Sequence, residues 1–566
     1  MVFPIEIKNN TIIASNDNVY ISIKGTDHAT SKQCFVKLDT GAASICEAPT
    51  ATTDSALYSY KLSSLPMNAS RNPEISLSEV DSGRIYFSIN NPVNFVIDAS
   101  NPGNISVVDP DGFKTRDPYY YTLYDKVEFT YNADGTWINP TAVDFFSIPI
   151  KLEQPTSISG YTKSGFSTAR SSILSPIKAA FDAADSSTAW NKLFLKFGDT
   201  STDLRLMSPG KAMNTNSGQP DPFPNDYLNN STYGLKYIDS VWTYYLTNTI
   251  QIDCSELSND DKFLPKLKNG YTFTGKVVEN NFVFSNPGNE KTETIAKPDS
   301  ISFYAGAVGS FNFDNHTVGV VIVKFLTSAF DVGLLPVADG VLLNSTYFES
   351  KKADYYQNNS LLPAPGYTQG PWYDLYSKSL HGFLGEHIYT FAYDDALKQD
   401  GTLQDPNAGK VTITLGDMSG TSILNPLADT STYTVNIILG KNDSDSYYQL
   451  FYNGAQIKPS IGKIIGGKTL HYASVPIKVK FNGIDQDIYL KYPMVTPYTQ
   501  KTDDIVITKI SDTDYNLIFP GPPAGYTNPV KLAEFTQTYD QYITSAPGEP
   551  VSLEEHVNFV KDLLDL

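Results

Sequence analysis

Glu128 and Asp144 are the two side chains whose type and spacing could do chemistry together. They lie 16 residues apart in the segment Glu128-Phe-Thr-Tyr-Asn-Ala-Asp-Gly-Thr-Trp-Ile-Asn-Pro-Thr-Ala-Val-Asp144. Two carboxyl groups held roughly 6.5–9.5 Å apart can cleave a glycosidic bond with inversion, one protonating the leaving oxygen while the other activates water. Residues that would serve a sugar ring stand beside them: Thr130 offers a hydroxyl, Asn132 an amide and Trp137 a stacking surface. Paired acids on a solvated strand face are common, so these neighbours carry much of the argument.

A hairpin must position the pair. From Lys126 to Asn132 the residues alternate, with Val127, Phe129 and Tyr131 on one face and Glu128, Thr130 and Asn132 on the other. Asp134-Gly135 predicts a type I′ turn. A two-residue loop there would set position 128 opposite 141 and would put Val127 on the same face as Asp144, against the hydrophobic pattern. One extra residue, a bulge at Asn139-Pro140 where proline cannot donate to the ladder, moves 128 opposite 142. Glu128 and Asp144 then become diagonal neighbours on one face, about 7–8 Å apart at their backbones.

These segments resemble glycoside hydrolase family 64, the thaumatin-like endo-β-1,3-glucanases of the laminaripentaose-producing type. In chain order the resemblance rests on Tyr20-Ile-Ser-Ile-Lys-Gly-Thr26, Ser82-Gly-Arg-Ile-Tyr-Phe-Ser88, Asp117-Pro118-Tyr-Tyr, Glu128-Phe-Thr-Tyr-Asn132 and Val143-Asp-Phe145. It continues through Arg205-Leu-Met-Ser-Pro209, Tyr237-Ile-Asp-Ser-Val-Trp-Thr-Tyr244, Lys297-Pro-Asp-Ser-Ile-Ser-Phe303 and Tyr389-Thr-Phe-Ala-Tyr-Asp-Asp395. Each match is short, and their colinearity over residues 15 to 418 is the specific signal. The resemblance implies Glu128 as general acid, Asp144 as general base, and Thr130, Asn132 and Trp137 as substrate-binding residues. It implies β-1,3-glucan as substrate, no cofactor, and a secreted protein. Two departures bear on the subsites: Pro371-Trp-Tyr373 replaces the family's Asn-His-Tyr ahead of His381, and Val127 replaces a usual cysteine.

Composition is compatible with this. The chain has 566 residues, enough for two to four domains, and is rich in Tyr, Phe, Ser, Thr, Asn, Gly and Pro with 18% charged residues, which predicts a mainly β protein. With 42 basic and 61 acidic residues the net charge is −19, which disfavours nucleic acid and anionic membrane surfaces as partners and suits a neutral polysaccharide. Cys34, Cys46 and Cys254 have no metal-ligand spacing, and six scattered histidines suggest no metal site. Cys34 and Cys46, 12 residues apart, could close a disulfide or remain thiols. The opening Met1-Val-Phe-Pro-Ile-Glu-Ile-Lys shows neither a basic region nor an apolar run of a signal peptide.

Residues 1–155 and 301–420 are expected to form the thaumatin-like β-sandwich, with an α/β insert at 156–300 supplying the other wall of a groove. Within the insert, helical spacing is expected after Ser172 and around Tyr237 to Tyr245, and a later helix near Val320 to Phe330. The family resemblance ends near 420. Residues 421–546 show alternating strands such as Tyr433-Thr-Val-Asn-Ile-Ile-Leu439 and are expected to form an appended β-sandwich, either a carbohydrate-binding module or an assembly domain. A capping box at Ser552-Leu-Glu-Glu555 predicts a helix in 547–566, docked on its own domain or engaged in oligomerisation. Three functions therefore compete: an inverting glucanase, a glucan-binding protein without turnover, and a self-assembling structural protein. Both carboxylates at the family's spacing favour the enzyme.

Overall fold

Alternating burial along Leu123–Asn132 fixes which way the central sheet faces. Val127, Phe129 and Tyr131 are almost fully buried, whereas Glu128, Thr130 and Asn132 are partly exposed. The computed structural model describes residues 2–419 apart from 39–43, 102–104, 115–116, 118, 121, 185–188, 197–202, 214–221, 230–235, 358–360, 362–371 and 383–386; between 432 and 531 it describes strand backbones. Two compact units are present, residues 1–195 with 203–421, and residues 196–202 with 422–566.

In the first unit two sheets face each other. The eight-stranded sheet runs in the order 403–405, 135–140, 123–132, 80–89, 19–27, 33–37 and 45–47, with 59–61 also paired to 19–27. The five-stranded sheet runs 163–165, 150–153, 411–415, 3–9 and 74–77. Their inner faces meet through Phe3, Ile5, Ile7 and Leu152 on one side and Ile21, Ile85, Val127 and Tyr131 on the other, all buried, and the Phe3 and Tyr131 rings lie 5.6 Å apart. Burial on this scale supplies most of the driving force for folding. The outer face of the larger sheet is closed at one end by a cluster of Tyr86, Phe95, Val107, Tyr124 and Phe145. Towards its other end Glu128, Thr130, Asn132 and Trp137 are partly exposed.

The rest of the first unit is mixed α/β. A second five-stranded sheet, ordered 291–296, 281–286, 272–278, 250–253 and 342–343, lies with helices Arg170–Ala184, Tyr237–Tyr244, Val318–Asp331 and Leu375–His381. The expected helices at Tyr237 and Val320 are formed. The last of these is capped by the Thr317 hydroxyl on Val320 N–H and is buried along most of its length, which suits its nearly all-apolar sequence. The expected return to the sandwich at residue 301 falls later. Strand Leu342–Leu343 joins the α/β sheet, and among the described residues after 301 only strands Leu403–Asp405 and Val411–Leu415 join the sandwich sheets. A helix such as Val318–Asp331 cannot offer ladder hydrogen bonds, so the segment around it stays with the helices it packs against.

Cys34 and Cys46 are free thiols hydrogen-bonded to one another across the edge of the larger sheet. That bond and burial push the Cys34 thiol far above its ordinary value.

In the second unit, the strand backbones form a six-stranded sheet, ordered 455–457, 448–452, 432–441, 501–509, 515–518 and 530–531, and a three-stranded sheet of 460–465, 468–481 and 484–493. The expected terminal helix in 547–566 lies outside the described residues. Among the described residues no helix is long and apolar enough to cross a membrane.

Candidate active site

Each arm of the Glu128 hairpin obeys a different register from the one expected. Asn132 pairs with Gly135 and Glu128 with Asn139, so position 128 stands opposite neither 141 nor 142. The chain turns at Ala133-Asp134, one residue early, because the Asn132 side-chain oxygen accepts the Asp134 N–H at 3.0 Å. Neither central residue has positive φ; Gly135 does, at 118°, and a Cβ there would come within 2.4 Å of the Asp405 carbonyl. The type I′ turn is therefore not made. The second arm is Gly135–Pro140, and it stops at the proline, which has no N–H for a ladder.

Asp144 consequently lies four residues beyond the arm, on a short segment pinned from several sides. Ala142 N–H donates to the Tyr389 carbonyl at 2.6 Å, and Tyr389 N–H donates to the Pro140 carbonyl at 3.1 Å. The Tyr376 hydroxyl donates to the Ala142 carbonyl, and Ser208 N–H donates to the Asp144 carbonyl at 3.0 Å. The next residues, Phe145 and Phe146, pair with Met207 and Leu206. The Tyr389 segment is itself braced by His381 Nε2, 3.0 Å from Asp394, whose carboxylate also accepts Thr390 N–H at 2.7 Å. His381 is thus a buried structural partner of a carboxylate.

This route brings Asp144 to the face that carries Glu128. Lys126, two residues before Glu128 and on the same face, makes an ion pair with Asp144 Oδ2, and Lys211 Nζ lies 3.1 Å from Oδ1. Burial would raise the Asp144 carboxyl, but Lys126 and Lys211 together hold it well below the usual carboxylate range. The two lysines therefore favour the ionised form of Asp144. Burial would likewise lower Lys126, yet Asp144 and Glu128 on either side keep it above its ordinary value.

Glu128 faces Arg84 across the neighbouring strand, and Arg84 Nε donates to Glu128 Oε1 at 3.2 Å. The guanidinium also pairs with Asp109, which Lys24 approaches to 2.7 Å and the Tyr86 hydroxyl to 2.7 Å. Burial opposes ionisation of Asp109, but Lys24 and Arg84 outweigh it and leave Asp109 below its ordinary value. The face is a lattice of alternating charge, Lys24, Asp109, Arg84, Glu128, Lys126, Asp144 and Lys211.

The three expected substrate-binding residues share this face. Thr130 and Trp137 are cross-strand partners, and Gln404 stands on the other side of Trp137. A bulge sets Asp81 and Ser82 opposite Thr130 alone, and from it Ser82 N–H donates to the Thr130 hydroxyl at 3.2 Å. Asn132 donates its amide to Asp81 at 3.0 Å, and Asp81 also meets His28 at 2.6 Å. Arg84, Lys126, Asp109 and Lys211 were not singled out from sequence. Arg84 lies in the segment Ser82–Ser88 that carries part of the family resemblance and Lys126 shares the face of Glu128, so both carried a signal; Lys211 comes from a distant short helix, Pro209–Ala212, and carried none. Among the described residues no group of three or more His, Cys, Asp or Glu side chains could hold a metal ion.

Comparison with other proteins gives a consistent picture. The model of the glycoside hydrolase 64 family, described as beta-1,3-glucanase, matches residues 1–415. A glucan endo-1,3-beta-glucosidase of Arthrobacter sp. (strain YCWD3) is 24% identical over 343 residues, 60% of this chain and 53% of that protein. One from Cellulosimicrobium cellulans is 23% identical over the same shares. The chain thus matches about half the length of these relatives. Among solved structures, a GH64 beta-1,3-glucanase domain from Clostridium beijerinckii has a TM-score of 0.52 at 21% identity, covering 73% of this chain and 98% of that one. A laminaripentaose-producing beta-1,3-glucanase in complex with laminaritetraose has a TM-score of 0.55 at 20% identity, covering 74% and 99%. At these identities the structures speak to the mainly β fold.

Proposed function

The chain belongs to glycoside hydrolase family 64, and on that premise we propose that it hydrolyses β-1,3-glucan with inversion, Glu128 acting as general acid and Asp144 as general base. The observation that supports this reading is that Lys126 pairs with Asp144 and is also held charged by Glu128 on the same face of the sheet, with the ionised form of Asp144 favoured. An ionised carboxylate can take a proton from water as that water attacks the anomeric carbon. In the same displacement Glu128, which must first take up a proton in place of its ion pair with Arg84, delivers that proton to the departing glycosidic oxygen. Thr130 and Asn132 orient sugar hydroxyls, and Trp137 offers a stacking surface. The two-sheet sandwich is read as the thaumatin-like scaffold of the family, with the α/β part as the second wall of the groove.

Stereochemistry provides the test. Proton NMR of laminarin digestion, followed from the first turnover, is expected to show the α anomer at the new reducing end. A first-formed β anomer would exclude inversion, and no released oligosaccharide would favour a glucan-binding protein without turnover.

The second unit is proposed as an accessory to this reaction, either binding glucan or mediating assembly. The family match ends at 415 and the first unit at 421, so a variant ending at residue 420 is expected to fold and to cleave laminarin. A folded variant of this length without cleavage would make the second unit part of the catalytic machinery.

A further inference from the structure

Both oxygens of Asp144 are covered by lysines of unlike character. Lys126 rises from the middle of a central strand, its side chain is 9% exposed, and it pairs with Oδ2. Lys211 stands on the four-residue helix Pro209–Ala212, its side chain is 36% exposed, and its Nζ lies 3.1 Å from Oδ1 and 4.8 Å from the centre of the Phe113 ring. A general base must offer one oxygen to the attacking water, and it works best when its proton affinity approaches the working pH. A carboxylate with an ammonium group on each oxygen has a lowered proton affinity and only its remaining lone pairs to offer to water.

We propose that Lys126 is the permanent partner of Asp144, a positioning residue that fixes Oδ2, whereas Lys211 is a removable cap on Oδ1 that glucan binding displaces towards Phe113. This rests on Asp144 being the base. Lys211 is the more exposed partner, at 36% against 22% for Asp144, and it has the Phe113 ring beside it as a second contact, whereas Lys126 is 9% exposed and held between Asp144 and Glu128. Losing Lys211 from Oδ1 frees the oxygen that takes the proton and strengthens the base at once. The charged and titratable groups facing Asp144 are Lys126, Glu128 and Tyr124 from its hairpin strand, Arg84 from the next strand, Lys211 from the short helix and Tyr376 from helix Leu375–His381. Of these, Lys211 and Lys126 touch the carboxylate oxygens.

The test is the pH dependence of both kcat/KM and kcat on laminarin for wild type, K211M, K126M, K126R and D144N. Removing a neighbouring cation makes a carboxylate easier to protonate, so the acidic limb of kcat/KM, which reports the free enzyme, should lie about 1 pH unit or more higher in K211M than in wild type, whereas the limb of kcat, which reports the glucan complex from which Lys211 has already withdrawn, should coincide in the two. K126M should lose roughly 10²-fold or more in kcat with a small change in KM, and K126R should recover part of that loss. Thermal melting establishes that K126M is folded, and K211M tests the cap independently on the surface. If the kcat/KM limb of K211M coincides with that of wild type, or its kcat limb is shifted as well, while D144N is inactive, the removable cap is wrong and the base assignment stands. If folded K126M keeps wild-type kcat, the positioning role is wrong. If D144N keeps wild-type turnover, the base assignment itself fails.

Discussion

Asp144→Asn and Glu128→Gln should each reduce laminarin turnover by roughly 10²–10⁴-fold, the usual worth of one general acid or base. Both replacements keep the shape of the side chain and remove its proton chemistry. Glucan binding, measured by affinity electrophoresis in a laminarin gel, should change little, because Thr130, Asn132 and Trp137 are untouched. The two variants are separable by a small nucleophile. Azide can stand in for the activated water when the base is removed, so Asp144→Ala should regain activity and yield the α-glycosyl azide. Azide cannot supply the missing proton of Glu128→Ala on laminarin, whose leaving group is poor. A β-azide from the Asp144 variant would point to a retaining pathway, and a loss below 10-fold in either isosteric variant would remove that residue from the reaction.

The second large effect concerns Asp125, which ties the two carboxylate-bearing segments together. It lies on the strand of Glu128, is fully buried, and accepts N–H groups from Ser147 at 2.7 Å, Ile148 at 2.9 Å and Lys126 at 2.9 Å. Ser147 and Ile148 follow Asp144 by three and four residues. Asp125→Ala leaves these donors unpaired, and at about 1–3 kcal/mol for each buried orphan the expected loss is at least about 3 kcal/mol of stability. Asp125→Asn keeps acceptor oxygen and should lose less. All four tryptophans, at 137, 190, 242 and 372, lie in the first unit, so a fluorescence melt reports that unit directly.

The same residue gives a pH signature. Burial pushes the Asp125 carboxyl up to about 7, with the three N–H donors offsetting only part of the effect. Its folded value therefore exceeds its unfolded one. Its contribution to stability is fully present below the ordinary aspartate range and is lost as pH rises towards 7. Asp125→Asn should flatten that part of the wild-type stability profile. An Asp125→Ala melt matching wild type would mean that these N–H groups find other partners.

Face, class and family were legible in the chain itself. Strict alternation from Lys126 to Asn132 decides which side chains turn outward, because a strand has a period of two whatever its partners are. The helices at Tyr237 and Val318 follow from apolar spacing in the same local way. Register was not legible. Asp134-Gly135 is a strong turn signal, yet one side-chain hydrogen bond from Asn132 moves the turn by a residue, and local composition cannot rank those alternatives. The approach of Asp144 to Glu128 is decided further away still, by Tyr389, Tyr376 and Ser208, whose hydrogen bonds to the segment after Pro140 join positions more than 60 residues apart in the chain. Lys211 is the limiting case. Nothing in its sequence neighbourhood marks it, and only packing of a four-residue helix against the end of the sheet puts its charge on the carboxylate. Periodicity is a property of neighbours along the chain, whereas the electrostatics of Asp144 arise from four segments brought together by the fold.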